Sequence, residues 1–219
     1  MIKSTNKLLN SFNSKEYIRY SNYRLQIIQN ILKKNFLKKK LKILDLGCGD
    51  GFFSKKLLKD GHKIDAMDAR YNLSLSRIKN NFNYKKVNLS KYKKFKKYDC
   101  ILLLNILYHL KDPENLIKIL KKKAKMIFID TVLLDANKSF KFIFKEDKFL
   151  LNSFDGYASR FTKKFLQNQF GKENKLIDIS DKRLNIKKNK NITGLKYNWK
   201  IKNTYGFRFN GFQLRGFYV

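Results

Sequence analysis

Three glycines at alternate positions, Gly47, Gly49 and Gly51, divide the segment KILDLGCGDGFFSKKLL into an apolar run and an amphipathic one. Glycine tolerates positive φ and has no side chain, so such a loop lets a ligand lie directly against main chain. A strand that ends in small residues and opens a helix is where α/β sheets bind ligands. The dinucleotide pattern G-x-G-x-x-G is not met, because Phe52 occupies the position of its third glycine. Other reactive residue types are sparse. The chain has two histidines, His62 and His109, and two cysteines, Cys48 and Cys100, with no metal-ligand spacing and no nucleophile–base arrangement. No metal site is expected.

The elements around the loop alternate. A helical stripe spans about 17–34, LKILDL (41–46) reads as a buried strand, and FFSKKLLKD reads as a helix stopped by Gly61. Strand 63–68, helix 72–81, strands 85–89 and 98–105, a helix from Asp112-Pro113 to about Lys122, and strand 125–134 continue the rhythm. Asp112 is an expected N-cap with Pro113 in the first helical position. Strands alternating with helices imply right-handed crossovers and a mostly parallel sheet covered on both faces. Beyond Asp135 a long aromatic, irregular stretch precedes a helix capped by Thr162 and stopped by Gly171, and NKLIDIS and FRFNGFQLRGFYV look like strands. The pattern predicts a single domain over 1–219, with an N-terminal helical extension (1–37) and an insertion (135–160).

Residues Ile43, Leu44, Asp45, Leu46, Gly47, Cys48, Gly49, Asp50 and Gly51 match apolar-apolar-acid-apolar-G-x-G-x-G throughout. That is the first motif of the class I, Rossmann-like, S-adenosylmethionine-dependent methyltransferases, which the chain resembles over roughly 38–134. The resemblance implies an α/β fold, a mostly parallel seven-stranded sheet with helices on both faces and an antiparallel last strand. It implies S-adenosyl-L-methionine as cofactor, held by Asp45, Gly47, Cys48, Gly49 and Gly51. Asp68, followed by Ala69, stands where the family places the carboxylate that takes both ribose hydroxyls, and a carboxylate can accept two such bonds. The alternative for Asp68 is an exposed acid at a strand end. Asn88 and Leu89 in VNLSKY resemble the adenine edge, although many relatives have Asp at Asn88, and plain loop structure is the other reading.

The segment YDCILLLNILYHLKDPENLIKILKK resembles the fourth motif. Asn105, Ile106 and Leu107 would lie beneath the methionine part of the cofactor, with Tyr108 and His109 near the reaction pocket. His109 is then either a residue packed at the strand–helix corner or a general base, since imidazole titrates near neutrality; Tyr108 either packs or lines the pocket. Within FDGYASRF, the residues Asp155, Tyr157, Ser159 and Arg160 form an expected substrate rim. Arg160 would clamp an anionic group or make an internal salt bridge.

The formal charge of +33 suggests a nucleic acid or another anionic partner. Only eight of the 50 basic residues are arginine, however, and abundant Lys, Asn, Ile, Phe and Tyr are what an AT-rich genome favours regardless of function. The 219-residue chain has no apolar stretch long enough to span a bilayer, so a soluble, cytoplasmic protein is expected. The leading expectation is in-line methyl transfer to a small-molecule acceptor, a metabolite or a sugar or lipid precursor. An RNA-modifying methyl- or carboxymethyltransferase is the alternative, and a non-catalytic cofactor-binding partner subunit a third.

Overall fold

The computed structural model describes residues 15–37, 39–134, 136–146, 153–171, 174, 176, 177, 179, 197–202 and 208–219, of which 197–202 and 208–218 are described by backbone. Helix α1 (Lys15–Phe36) leads to strand β1 (Lys42–Leu46), helix α2 (Phe52–Lys59) and strand β2 (Lys63–Asp68). A single turn, α3 (Leu73–Ser76), precedes β3 (Phe82–Lys86) and β4 (Tyr98–Leu104); a 3-10 turn (Leu107–His109), α4 (Pro113–Leu120) and β5 (Ala124–Leu134) follow. Then come β6 (Lys141–Lys145), β7 (Tyr157–Thr162), α5 (Lys163–Phe170), β8 (Tyr197–Lys202) and β9 (Arg208–Tyr218).

Strands β3-β2-β1-β4-β5 run parallel, and β9 continues the sheet antiparallel to β5 with β8 beyond it. These seven strands form the expected mixed sheet. Side chains alternate between its two covered faces. Ile101 and Leu103 of β4 pack with α4 and α5, through Leu116, Ile117 and Leu166. Cys100, Leu102 and Leu104 pack on the other face with Ile28 and Leu32 of α1 and Leu57 of α2.

A hairpin, β6–β7, adds two strands. Strand β5 pairs with β4 up to Asp130, and with β9 from Ile129 to Leu134; β7 joins it only at Leu133 and Leu134. Each strand has two edges, so β7 takes the edge that β4 has vacated. The hairpin therefore stands directly beyond the carboxyl end of β4.

Local differences from the sequence reading have identifiable causes. The helix expected over 72–81 is one turn, Leu73–Ser76, and the positive φ of Asn80 and Asn81 is incompatible with a right-handed helix reaching them. The third strand lies at 82–86 rather than 85–89, because Phe82 must reach the core in register with Ile64. Asp112 occupies the N-cap position of α4 without capping it, since its carboxylate is held by Lys141 at 3.2 Å. Part of the stretch after 135 read as irregular is the β6–β7 hairpin. Of the strand expected at 174–180, only Asn174, Leu176, Ile177 and Ile179 are described, and Ile177 exchanges backbone hydrogen bonds with Val219 at 2.8 and 3.0 Å. The polar segment 1–14 lies outside the described residues, as do 135 and 147–152 of the expected insertion.

Candidate active site at the carboxyl ends of the strands

The loop after β1 is held by its own amides. Gly47 and Cys48 both donate to the Met67 carbonyl, Gly51 donates to the Cys48 carbonyl, and Phe52 donates to the Asp50 side chain. Gly49 donates to Asp68 Oδ2 at 3.0 Å. Five amides between Gly47 and Phe52 thus end on protein acceptors. A phosphate-binding loop aims these donors at its ligand, whereas here the surrounding charges are the carboxylates of Asp45, Asp50 and Asp68. That donor set suits a nucleoside bearing positive charge rather than a phosphate.

Positive φ is required at Gly47 (72°) and Gly51 (78°), where a Cβ would stand 2.9 Å from Ile106 and 2.4 Å from Leu75 respectively. Close approach of Ile106 brings the turn after β4 against the loop after β1. These are the neighbouring strands at which the sheet order reverses.

Asp68 is fixed from two sides. Its Oδ2 accepts from Gly49 and its Oδ1 accepts from the Arg70 amide at 2.9 Å. Asn72, four residues on, donates to the Gly49 carbonyl at 3.0 Å and caps the following turn through Leu75, while Tyr84 bonds the Arg70 carbonyl at 2.6 Å. Asp68 remains partly exposed, with acceptor capacity left for a diol. Asp45, two residues before the loop, is buried and receives the Ser54 hydroxyl at 2.6 Å; burial, with the charges of Asp68 and Asp50, raises its carboxyl to about 6. Cys48 is buried, and its thiol is pushed well up by that burial. It contributes backbone to the site, not a reactive sulfur.

Asn88 donates through its side-chain amide to Asp155 at 2.8 Å, with the Asn88 side-chain Oδ1 taking the Ser90 amide at 3.0 Å and Leu89 buried beside them. The end of β3 is thereby tied to the segment entering β7. Asn105 has φ of 61°, donates its amide to the Asp130 carbonyl, and carries a buried side-chain oxygen without a hydrogen-bond partner among the described residues.

The hairpin roofs the next turn. Arg160 of β7 donates to the Tyr108 carbonyl at 3.2 Å, and its guanidinium lies over the rings of Tyr108 (5.2 Å) and Phe144 (4.9 Å). His109, whose ring is 4.2 Å from that of Tyr108, meets Glu146 at 3.1 Å through Nδ1, and Glu146 also takes the Ser153 amide at 2.7 Å. Burial pushes the Glu146 carboxyl up, but the bond and charge of His109, the Ser153 amide and Arg160 outweigh it, leaving it below its ordinary value. Tyr157 is exposed, with the Lys111 ammonium 5.5 Å above its ring. His62 is remote from this turn, and its Nδ1 accepts the Leu41 amide before β1.

On the other face α1 crosses the loop. Arg24 and Asp130 form a fully buried ion pair, joined by Tyr20 at 3.3 Å and by Ser21, which accepts from Arg24 at 3.0 Å. The Arg24 guanidinium also lies 5.0 Å from the ring of Phe53 in the first turn of α2, and its Nε has no hydrogen-bond partner among the described residues. Tyr17, on the same helix, is pushed up to about 12 by burial, with Arg24, Asp50 and Asp45 acting on it.

The loop, Asp68, Asn105, Tyr108, His109 and Arg160 are residues the sequence singles out; Glu146, Asn72, Tyr84 and the Arg24–Asp130 pair, which join them here, are not. One signal was available for Glu146. It is one of only 17 acids in a chain with 50 basic residues, and with Asp147 it interrupts a basic and aromatic stretch.

A family profile described as "Methyltransferase domain" matches residues 16–183. A ubiquinone biosynthesis O-methyltransferase of Pelagibacter ubique is 28% identical, over 89% of this chain and 95% of that protein. A tRNA U34 carboxymethyltransferase of Sulfurimonas denitrificans is 24% identical, over 54% of this chain and 44% of that one. Among solved structures, the N-terminal domain of EvdMO1, crystallised in the presence of SAH and D-fucose, superposes with a TM-score of 0.63 at 12% identity, covering 94% of this chain and 84% of that one. At that identity the likeness speaks for the fold.

Proposed function

This chain belongs to the methyltransferase-domain family and is an S-adenosylmethionine-dependent methyltransferase of class I, and on that premise we propose that it methylates a hydroxyl of a small, ring-bearing acceptor. The observation that carries this reading is the constellation beyond β4, where His109, Tyr108, Phe144 and Arg160 are gathered by the hairpin roof. Aromatic faces and a guanidinium suit a planar ring, and an imidazole suits a hydroxyl that must lose its proton. The ubiquinone biosynthesis O-methyltransferase that spans nearly the whole chain supports a hydroxylated ring as the class.

S-adenosylmethionine supplies a methyl group already activated on a positively charged sulfur. The protein's task is placement. Asp68 would hold the ribose hydroxyls, Gly47 to Gly51 would lie against the nucleoside and methionine, and Leu89 and Asn88 would border the adenine. Asn105, whose buried side-chain oxygen has no hydrogen-bond partner among the described residues, and Ile106 would support the methionine portion. Asp45 stiffens the loop through Ser54, and Ala69 continues the turn after Asp68. His109 receives the acceptor proton, Tyr108 and Tyr157 border the acceptor, and Arg160 holds the roof over it.

Incubation with S-adenosylmethionine and a panel of mono- and dihydroxyarenes, with S-adenosylhomocysteine release as the readout, tests this reading. Turnover of at least one hydroxyarene is expected. Turnover confined to sugars, amines or RNA would overturn it.

A second reading, RNA modification, is favoured by the charge of +33 and by the partial match to tRNA U34 carboxymethyltransferases. It predicts binding to tRNA with a steep salt dependence. A flat slope between 50 and 200 mM salt, roughly the range over which phosphate contacts reveal themselves, would remove it.

A further inference from the structure

We propose that Glu146 is the positioning residue for His109, accepting a hydrogen bond from the imidazole Nδ1–H so that Nε2 is left as the basic nitrogen. The inference rests on the reading of His109 as base and adds a residue no motif contains. Glu146 immediately follows β6, the first strand of the hairpin, 37 positions beyond His109 in the chain. The two side chains are only 16% and 13% exposed, and they meet at 3.1 Å.

One face of the imidazole is thus committed to a carboxylate. An ionised carboxylate offers no proton, so the hydrogen shared between the two groups belongs to Nδ1. The neutral ring must then carry its lone pair on Nε2. The groups facing the pair all favour an ionised Glu146. The Ser153 amide donates to the same oxygen, Oε2, at 2.7 Å, and Arg160 of β7 supplies a positive charge. From the 3-10 turn, Tyr108 stacks against the imidazole. When an acceptor hydroxyl is converted to an ether, its proton ends on Nε2, and the imidazolium so formed lies beside a carboxylate already in place. The proton is then returned to water.

The roof hairpin acquires a chemical purpose from this geometry. A bare packing role for His109 would require a hydrogen bond to any backbone group. The carboxylate instead sets both the tautomer and the base strength, and it comes from the segment that differs from the sheet framework.

The chain provides its own reference, because it has only two histidines and the other holds the opposite tautomer: His62 accepts at Nδ1 from Leu41 at 3.2 Å. Long-range proton–nitrogen correlation spectra of the full chain at alkaline pH, assigned with His62→Gln, should show one Nε2–H ring and one Nδ1–H ring, the latter being His109. In Glu146→Ala the His109 pattern should lose its Nδ1–H signature. Affinity for S-adenosylhomocysteine should stay within about twofold of the parent, which certifies the fold of the variant. An Nε2–H tautomer for His109 in the parent, or a pattern unchanged by Glu146→Ala, overturns the proposal.

The kinetic arm uses catechol as acceptor. Glu146→Gln should lower kcat by about tenfold or more with KM nearly unchanged, and should carry the acid limb of the kcat profile to lower pH, because removing the carboxylate charge weakens the base. A fall in kcat without movement of that limb means a structural pin, and overturns it. If the parent turns over neither catechol nor any other hydroxyarene, it is the acceptor reading that falls, and the tautomer measurement decides the pair by itself.

Discussion

The Gly49 amide and the Asp68 carboxylate are 3.0 Å apart, so the loop after β1 and the acid after β2 form one hydrogen-bonded unit. Asn72 closes the unit by donating back to the Gly49 carbonyl. The carboxylate is therefore oriented before any ligand arrives, with one side taken by protein amides and the rest available to a diol.

Removal of that carboxylate should cost both the ligand contact and the loop's preorganisation. Asp68→Ala is expected to weaken S-adenosylhomocysteine binding by about 10- to 100-fold, on the scale of one or two charge-assisted hydrogen bonds. Asp68→Asn, which keeps one acceptor, should lose less. Titration calorimetry reads both.

Two glycines with similar φ should respond differently to a methyl group. A Cβ at Gly51 (φ 78°, ψ 25°) meets Leu75 at 2.4 Å, whereas a Cβ at Gly171 (φ 73°, ψ −174°) meets nothing within 4 Å. Gly171→Ala should cost backbone strain alone, about 1–3 kcal/mol, because its φ and ψ fall in a region essentially confined to glycine, and no neighbouring truncation should relieve it. Gly51→Ala should cost about 2–4 kcal/mol, strain plus overpacking, and Gly51→Ala/Leu75→Ala should recover part of it. Denaturant unfolding distinguishes the two sites.

Asp45 makes stability depend on pH in an unusual direction. Burial raises its carboxyl from 3.8 to about 6, so between those values the folded chain binds a proton that the unfolded chain has released. The stability this group contributes is fully present below pH 3.8 and is lost as pH rises through about 6. Asp45→Asn cannot lose it. The stability difference, variant minus parent, should grow by about 2–3 kcal/mol between pH 4 and pH 7, measured by urea unfolding across that range.

Either partner of the Arg24–Asp130 pair, removed alone, strands a charge in a site with no exposure. Arg24→Met or Asp130→Leu should each destabilise by about 3–5 kcal/mol. The double variant should regain much of that loss, because two apolar side chains leave no uncompensated charge. A double-mutant cycle in thermal or denaturant unfolding checks the recovery.

Legibility in the sequence follows distance along the chain. The glycine loop and Asp68 could be read because their chemistry is local: small residues must sit where backbone turns sharply, and an acid must end the next strand. The framework of five parallel strands could be read from the alternation of apolar runs with amphipathic ones. Glu146, by contrast, meets His109 only because β7 takes the edge of β5 beyond β4, and nothing in the residues themselves announces that edge. Arg24 was invisible for a related reason. An arginine on a helix reads as solvated until the strand face carrying Asp130 is known to lie beneath it. Asn88 shows a third case, in which the residue was singled out but its bond to Asp155 from across the site depends on where the segment entering β7 lies.

Arg24 and Asp130 are separated by 106 positions. During synthesis α1 has emerged long before β5 exists, so its guanidinium must wait in water for a counter-ion still to be made. Joining ends that far apart is entropically slow, and topologies that depend on such distant partners are assembled late. The helix beside the glycine loop thus gains its buried counter-ion only once β5 is made, while its apolar face meets partners on β4 and α2 that precede it.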